Sequence, residues 1–260
     1  MPDPDLDLLI DAARAAGRVA CRFSPDTTQT WEKPHDAGPV TAADLAVNTT
    51  LYEVLQSARP EYGWLSEESE DDPARLSADR LFIVDPIDGT RSFIEGSNTW
   101  AHSLAVVTAG RVTAAVIYLP KRDMLYAAAA GRGATLNGAP IRPRKTEDLT
   151  TAQVLSVKHN FKPEFWHGTP PDLTRAYRPS LAYRMALVAE GRFDAMITFR
   201  PSWEWDVAAG DLILREAGAS TSDRAGRPLR FNNPTPKTSG ILAANPSLHA
   251  QIASQLTFQD

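Results

Sequence analysis

A single cysteine, Cys21, stands in the whole chain, so no internal disulfide can form, as suits a reducing compartment. No run approaches the roughly 20 apolar residues of a membrane helix. The opening MPDPDLDLL carries acids where a secretory signal needs bases, and the expected location is cytoplasmic, away from any membrane. No block of basic residues occurs, and a formal net charge of -5 over 260 residues argues against nucleic acid as a main partner. The five histidines show no ligand spacing, so zinc is not expected. No Ser-His-Asp or Cys-His arrangement is legible as a nucleophile, and no glycine string has Walker or dinucleotide spacing. What remains is a globular composition, 43% hydrophobic and 23% charged, long enough for one large domain or two small ones.

Against that background the stretch Leu81 to Phe93, LFIVDPIDGTRSF, stands out. Its first four residues form a continuous apolar run, as a buried strand would. Asp85 ends the run and Asp88 follows, with Pro86 fixing φ between them. Gly89 permits angles other residues resist, and Thr90 opens a helix. Two carboxylates at a strand end hold hard cations through oxygen, and the free N–H groups of Gly89 and Thr90 at a helix start receive phosphate. Asp-Pro and Asp-Gly are also common turn dipeptides, but a turn alone leaves two crowded acids unexplained.

Around this string the chain alternates elements. Asp3 caps a helix through Phe23, with Cys21 in its apolar pattern and expected in the core. Residues 24 to 40 read as an exposed loop holding Lys33. Thr41 and Asp44 fit a capping box at the head of a second helix. A strand over Tyr62 to Leu65 runs into Glu67 and Glu68, 18 residues before Asp85 (85 − 67 = 18). Three such carboxylates delivered to one place cannot all stay ionised without a cation. From His102 to Ala130 strand-like runs and turns form an antiparallel meander. Polar residues 147 to 151 mark a boundary between an N-terminal half, 1–150, and a C-terminal half, 151–260, within one compact unit. Residues 158 to 179 have no legible pattern. Ser180 caps a helix that Gly191 ends, a strand follows to Phe199, and Asp206 caps a further apolar helix. Composition and pattern support a mixed α/β fold with an antiparallel portion.

DPIDGT, with Glu67-Glu68 upstream and Trp205-Asp206 downstream, resembles the inositol monophosphatase superfamily of magnesium-dependent, lithium-sensitive phosphatases, over about Asp36 to Asn245. The resemblance implies a layered α-β-α-β-α sandwich, usually a homodimer. It implies that Glu67, Asp85, Asp88, Asp206 and the carbonyl of Ile87 hold two or three Mg2+ ions, with Glu68 less central. It makes Asp44 the acceptor for Thr90 in a pair that, with Glu67, orients the attacking water. It assigns Gly89, Thr90 and Asp206 to the substrate and sets Lys33 on a loop over the metals. It also places the helix start at Ser180 to Ala182 near the substrate, where Arg184 could reach an anion.

The expected reaction is hydrolysis of a small phosphate ester. Inositol phosphatases usually carry an acid seven residues before the WD aspartate; here that position is Phe199 (206 − 7 = 199), followed by Arg200. An aromatic and a cation suit a base or a second phosphate. GWLSEES and SLAYRMALVAEGRFDA also resemble bacterial 3'(2'),5'-bisphosphate nucleotidases. Adenosine 3',5'-bisphosphate is therefore the expected substrate, with inositol 1-phosphate or histidinol phosphate as alternatives. A regulatory binding protein on the same fold is the non-enzymatic alternative.

Overall fold

The structure is a computed structural model that describes residues 3–24, 26–33 and 38–258. Residue 25 and residues 34–37 of the expected loop lie outside the described residues. Helix α1 (Pro4–Ala20) begins where expected: the Asp3 carboxylate accepts from the amides of Asp5 and Leu6, with Pro4 in the first turn. Helix α2 (Ala42–Ala58) opens on the capping box of Thr41 and Asp44, just after a short hairpin, β1 (Thr30–Glu32) with β2 (Pro39–Thr41).

Seven strands follow: β3 (Gly63–Ser66), β4 (Arg80–Asp88), β5 (Ala101–Thr108), β6 (Arg111–Leu119), β7 (Met124–Ala129), β8 (Ala134–Leu136) and β9 (Ala139–Pro140). They form one sheet in that order, with β3 parallel to β4 and every other neighbour antiparallel. The expected meander is its larger part. Short helix α3 (Thr90–Ile94) interrupts it after β4.

Later in the chain come β10 (Gln153–Leu155), β11 (Thr174–Ala176), helix α4 (Leu181–Ala189), β12 (Ala195–Thr198), β13 (Ser202–Trp203) and helix α5 (Glu204–Ala217). The chain closes with β14 (Ser220–Ser222), β15 (Lys237–Thr238), β16 (Ile241–Ala244) and helix α6 (Pro246–Ala253). Five of these strands make a second sheet, ordered β11-β10-β12-β16-β14, and β13 pairs separately with β15.

Side-chain alternation stacks the layers. Phe82 and Val84 of β4 pack with Leu9, Leu51 and Leu55 of α1 and α2, while Leu81 and Ile83 face Leu187, Leu212 and Ile213 of α4 and α5. In the second sheet Met196 and Ala243 join the α4–α5 core, and Ile197 and Leu242 turn to Leu248 and Ile252 of α6. The result is α-β-α-β-α. Each fully buried leucine contributes about 1.5–3 kcal/mol of transfer free energy. Among the described residues no helix is long and apolar enough to cross a membrane.

Three expectations change. Cys21 is exposed, because it is the C-cap that follows the last turn of α1 and lies beyond its buried face. Asp206 does not cap α5, which starts at Glu204 with Trp203 before it; Asp206 lies inside the first turn. Phe199 does not face a ligand. It is 3% exposed and packs with Phe165, Trp166 and Phe258 beneath the second sheet.

Candidate active site

The parallel pairing of β3 and β4 brings their C-terminal ends to one edge. Glu67, one residue past β3, donates its amide to the Val84 carbonyl (3.2 Å), which sets it beside Asp85. The β4–β5 ladder then breaks between Asp85 and Asp88, and Gly89 turns the chain at φ 98° into α3. Across the α4–α5 layer, Ser103 of β5 donates to the Trp205 carbonyl (2.9 Å), tying the first turn of α5 to the strand opposite Asp85. Carboxylate oxygens of Asp85, Asp88 and Asp206 thereby fall within 4.8 Å of one another.

Glu67 stands at the rim of this cluster. Its carboxylate receives Lys33 Nζ at 2.8 Å, and the same ammonium reaches Glu68 at 2.6 Å. Lys33 thus lies on the acids, not on the open cleft. Asp44 bonds on two sides. Its Oδ2 accepts from the Thr41 amide (2.8 Å), completing the capping box, and its Oδ1 accepts from the Thr90 hydroxyl (3.2 Å). The Ile87 carbonyl lies equally close to that hydroxyl.

Burial drives the electrostatics. Asp85 is held well above the usual carboxylate range by burial first, then by Glu67, Asp88 and Asp206. Asp206 is raised likewise, by burial and then by Asp88 and Glu67, with Arg200 opposing. Asp88 is raised by burial, although the Ser180 hydroxyl and the Ala182 amide, each 2.6 Å away, favour its charged form. Glu68 is pushed up to about 7 by burial, against the pull of Lys33.

Asp85 Oδ1 is buried without a hydrogen-bond partner among the described residues. An unpartnered carboxylate oxygen, two further acids within reach and donors that are all oxygen fit a hard divalent cation. Asp85, Asp88 and Asp206 are the residues that could hold it, with Glu67 at the edge.

The acids open into a cleft of about 350 Å³ that also exposes Gly89, Thr90, Arg91, Tyr177, Arg184, Arg200 and Trp203. Arg184 borders it with two of its nitrogens engaged: Nε bonds the Arg178 carbonyl, Nη2 the Pro179 carbonyl (2.7 Å), and its Cζ lies 4.6 Å from the centre of the Tyr177 ring. Ser180 and Ala182 contact Asp88, so the start of α4 grips the acid itself. Sequence reasoning did not find Ser103, Tyr177, Trp203 or this use of Ser180. A cap serine signals its own helix, and nothing in the linear pattern shows which distant acid it also meets.

A five-layer fold with an acid cluster beside a Gly-Thr turn defines a phosphoric monoester hydrolase. The chain belongs to the inositol monophosphatase family, whose model matches residues 1–260. It is similar to the Nus factor SuhB of Escherichia coli K12, 32% identical over 256 residues that cover 94% of this chain and 92% of that one. The inositol-1-monophosphatase of Rhizobium meliloti is 34% identical over 237 residues, covering 85% and 86%. Among solved structures, the inositol monophosphatase of Thermotoga maritima superposes with a TM-score of 0.82 at 26% identity, covering 97% and 96%; the extragenic suppressor protein suhB of Bartonella henselae gives 0.80 at 28%, covering 97% and 98%. These relatives are named for inositol monophosphatase or for SuhB, not for a bisphosphate nucleotidase, so the expected closeness to that branch is not supported.

Proposed function

We propose that the protein hydrolyses inositol monophosphate, with Mg2+ held by Glu67, Asp85, Asp88, Asp206 and the Ile87 carbonyl. The observation that carries this reading is the meeting of Asp85, Asp88 and Asp206, with one Asp85 oxygen unpartnered, next to the Gly89–Thr90 turn. The names of the relatives favour inositol monophosphate over the nucleotide expected from sequence. A bound divalent cation acts as a Lewis acid toward the phosphoryl group and makes water a competent nucleophile near neutral pH. The amides of Gly89 and Thr90 bind phosphate oxygens. By donating to Asp44, the Thr90 hydroxyl turns a lone pair outward to accept from the attacking water. Glu67 takes the proton of the attacking water as the P–O bond to the inositol oxygen breaks, and that oxygen, facing Asp206, takes a proton from solvent to leave as the hydroxyl.

Phosphate release from inositol 1-phosphate, with Mg2+ and with a chelator, tests the reading. Mg2+-dependent turnover that Asp88→Asn abolishes supports it; an unchanged rate in Asp88→Asn overturns the site. Absence of turnover on any phosphomonoester points to the regulatory alternative.

A second reading, adenosine 3',5'-bisphosphate, is favoured by the far end of the cleft. Tyr177 is 56% exposed there, with Arg184 against its ring, and Arg200 lines the same cleft. Trp203 is less available, because Trp205 stacks on it at 4.6 Å and Lys237 sits 3.8 Å over its ring. The ratio of kcat/KM for the two substrates decides between the readings.

A further inference from the structure

His102 is fully buried in β5, yet it belongs to none of the site residues above. Asp85 pairs with Ser103 and Asp88 with Ala101, so three steps along β4 (88 − 85 = 3) oppose two along β5 (103 − 101 = 2). The extra residue makes a β-bulge, and His102 is the single residue facing Pro86 and Ile87. Its Nδ1 lies 2.5 Å from the Pro86 carbonyl. A carbonyl only accepts, so Nδ1 carries the proton and Nε2 is bare. Nε2 is buried with no partner among the described residues. Burial also pushes this imidazole down to about 4, so it stays neutral at ordinary pH.

An apolar side chain would fill the space between Trp100 and Tyr118 without leaving a buried nitrogen unsatisfied, which is unfavourable. The imidazole supplies what an apolar group cannot, a donor for a carbonyl inside the bulge. The Pro86–Ile87 peptide plane lies between Asp85 and Asp88, and its orientation sets where the Ile87 carbonyl and both acids point.

We propose that His102 is a positioning residue of the cation site, acting through Nδ1–H on the Pro86 carbonyl to fix the bulge that aims Asp85, the Ile87 carbonyl and Asp88. This rests on the metal-site reading above. Two variants separate donor from volume. His102→Leu keeps the bulk and loses the donor; His102→Asn places an amide N–H at the same number of bonds from Cα as Nδ1. Calorimetric titration of the purified full chain with Mg2+ should show about a 10–100-fold loss of affinity in His102→Leu. His102→Asn should stay within a few-fold of wild type. Equal affinity in His102→Leu and wild type, or equal loss in both variants, overturns the proposal. Wild-type protein that binds no Mg2+ overturns the site reading and this proposal with it. Should His102→Leu not fold, nitrogen NMR of the wild-type histidines decides: the resonance absent from His102→Asn must report protonation at Nδ1, and an Nε2–H tautomer overturns the proposal.

Discussion

At the residue scale, Asp85 shows how stability and function oppose each other. A buried carboxylate oxygen without a donor, crowded by Glu67, Asp88 and Asp206, destabilises the fold on its own account. Asp85→Asn is therefore expected to raise the melting temperature of chelator-treated protein, by about 1–2 kcal/mol of stability, while abolishing Mg2+-dependent phosphate release. A drop in melting temperature would show that the acid is satisfied in the fold. Thr90 offers a cleaner separation. Its hydroxyl touches Asp44 and the Ile87 carbonyl, so Thr90→Ala should lower kcat by about 10²–10⁴-fold with Mg2+ affinity little changed, and Thr90→Ser should restore most of the rate. Tyr177→Ala tests substrate choice. If a base stacks there, kcat/KM for adenosine 3',5'-bisphosphate falls by an amount equivalent to about 1–3 kcal/mol, with inositol 1-phosphate unaffected.

At the scale of elements, the site depends on how closely α4 and α5 cross. The start of α4 grips Asp88 through Ser180 and Ala182, and the first turn of α5 carries Asp206. Gly210 lies on α5 against Met185 of α4, where an added Cβ would come 2.6 Å from the Met185 sulfur and 2.7 Å from its Cβ. The sulfur can swing aside, but the Cβ moves only with its helix. Gly210→Ala should cost about 1–3 kcal/mol and lower activity by separating the two helix starts. The added change Met185→Ala removes the sulfur but keeps the Cβ, so it should recover little of either loss, as read by thermal melts and phosphate release.

For the whole molecule, the clustered acids link stability to pH and cation. Asp85, Asp88, Asp206 and Glu68 hold protons more tightly folded than unfolded. Their contribution is full below the unfolded carboxylate range, whose ordinary values are 3.8 and 4.5, and is lost as pH rises through the folded values, about 7 for Glu68. In chelator the melting temperature should therefore fall between about pH 5 and pH 8. Mg2+ held as proposed would bind the ionised acids, so the stabilisation it gives should grow over the same interval, reaching about 2.7 kcal/mol at a hundredfold excess over its dissociation constant. A melting temperature insensitive to both would mean that the acids do not share one site.

Local chemistry settled much of this protein before any folding was considered. The Asp3 cap that starts α1, the capping box that starts α2, the meander and the acid-rich turn after β4 are short-range consequences of residue type, and the linear chain displays them. Asp44 was legible as a cap, and Thr90 as its distant partner only through the family likeness. Other features depended on which surfaces meet in space. Cys21 and Phe199 exchanged their expected surroundings because burial is decided by neighbouring layers, not by a residue's own helix or strand. Ser180 on Asp88, Ser103 on the Trp205 carbonyl and His102 on the Pro86 carbonyl join positions 92, 102 and 16 residues apart. No sequence period encodes such pairs, since a hydrogen bond needs its two atoms within about 3 Å and only the packed layers bring them there.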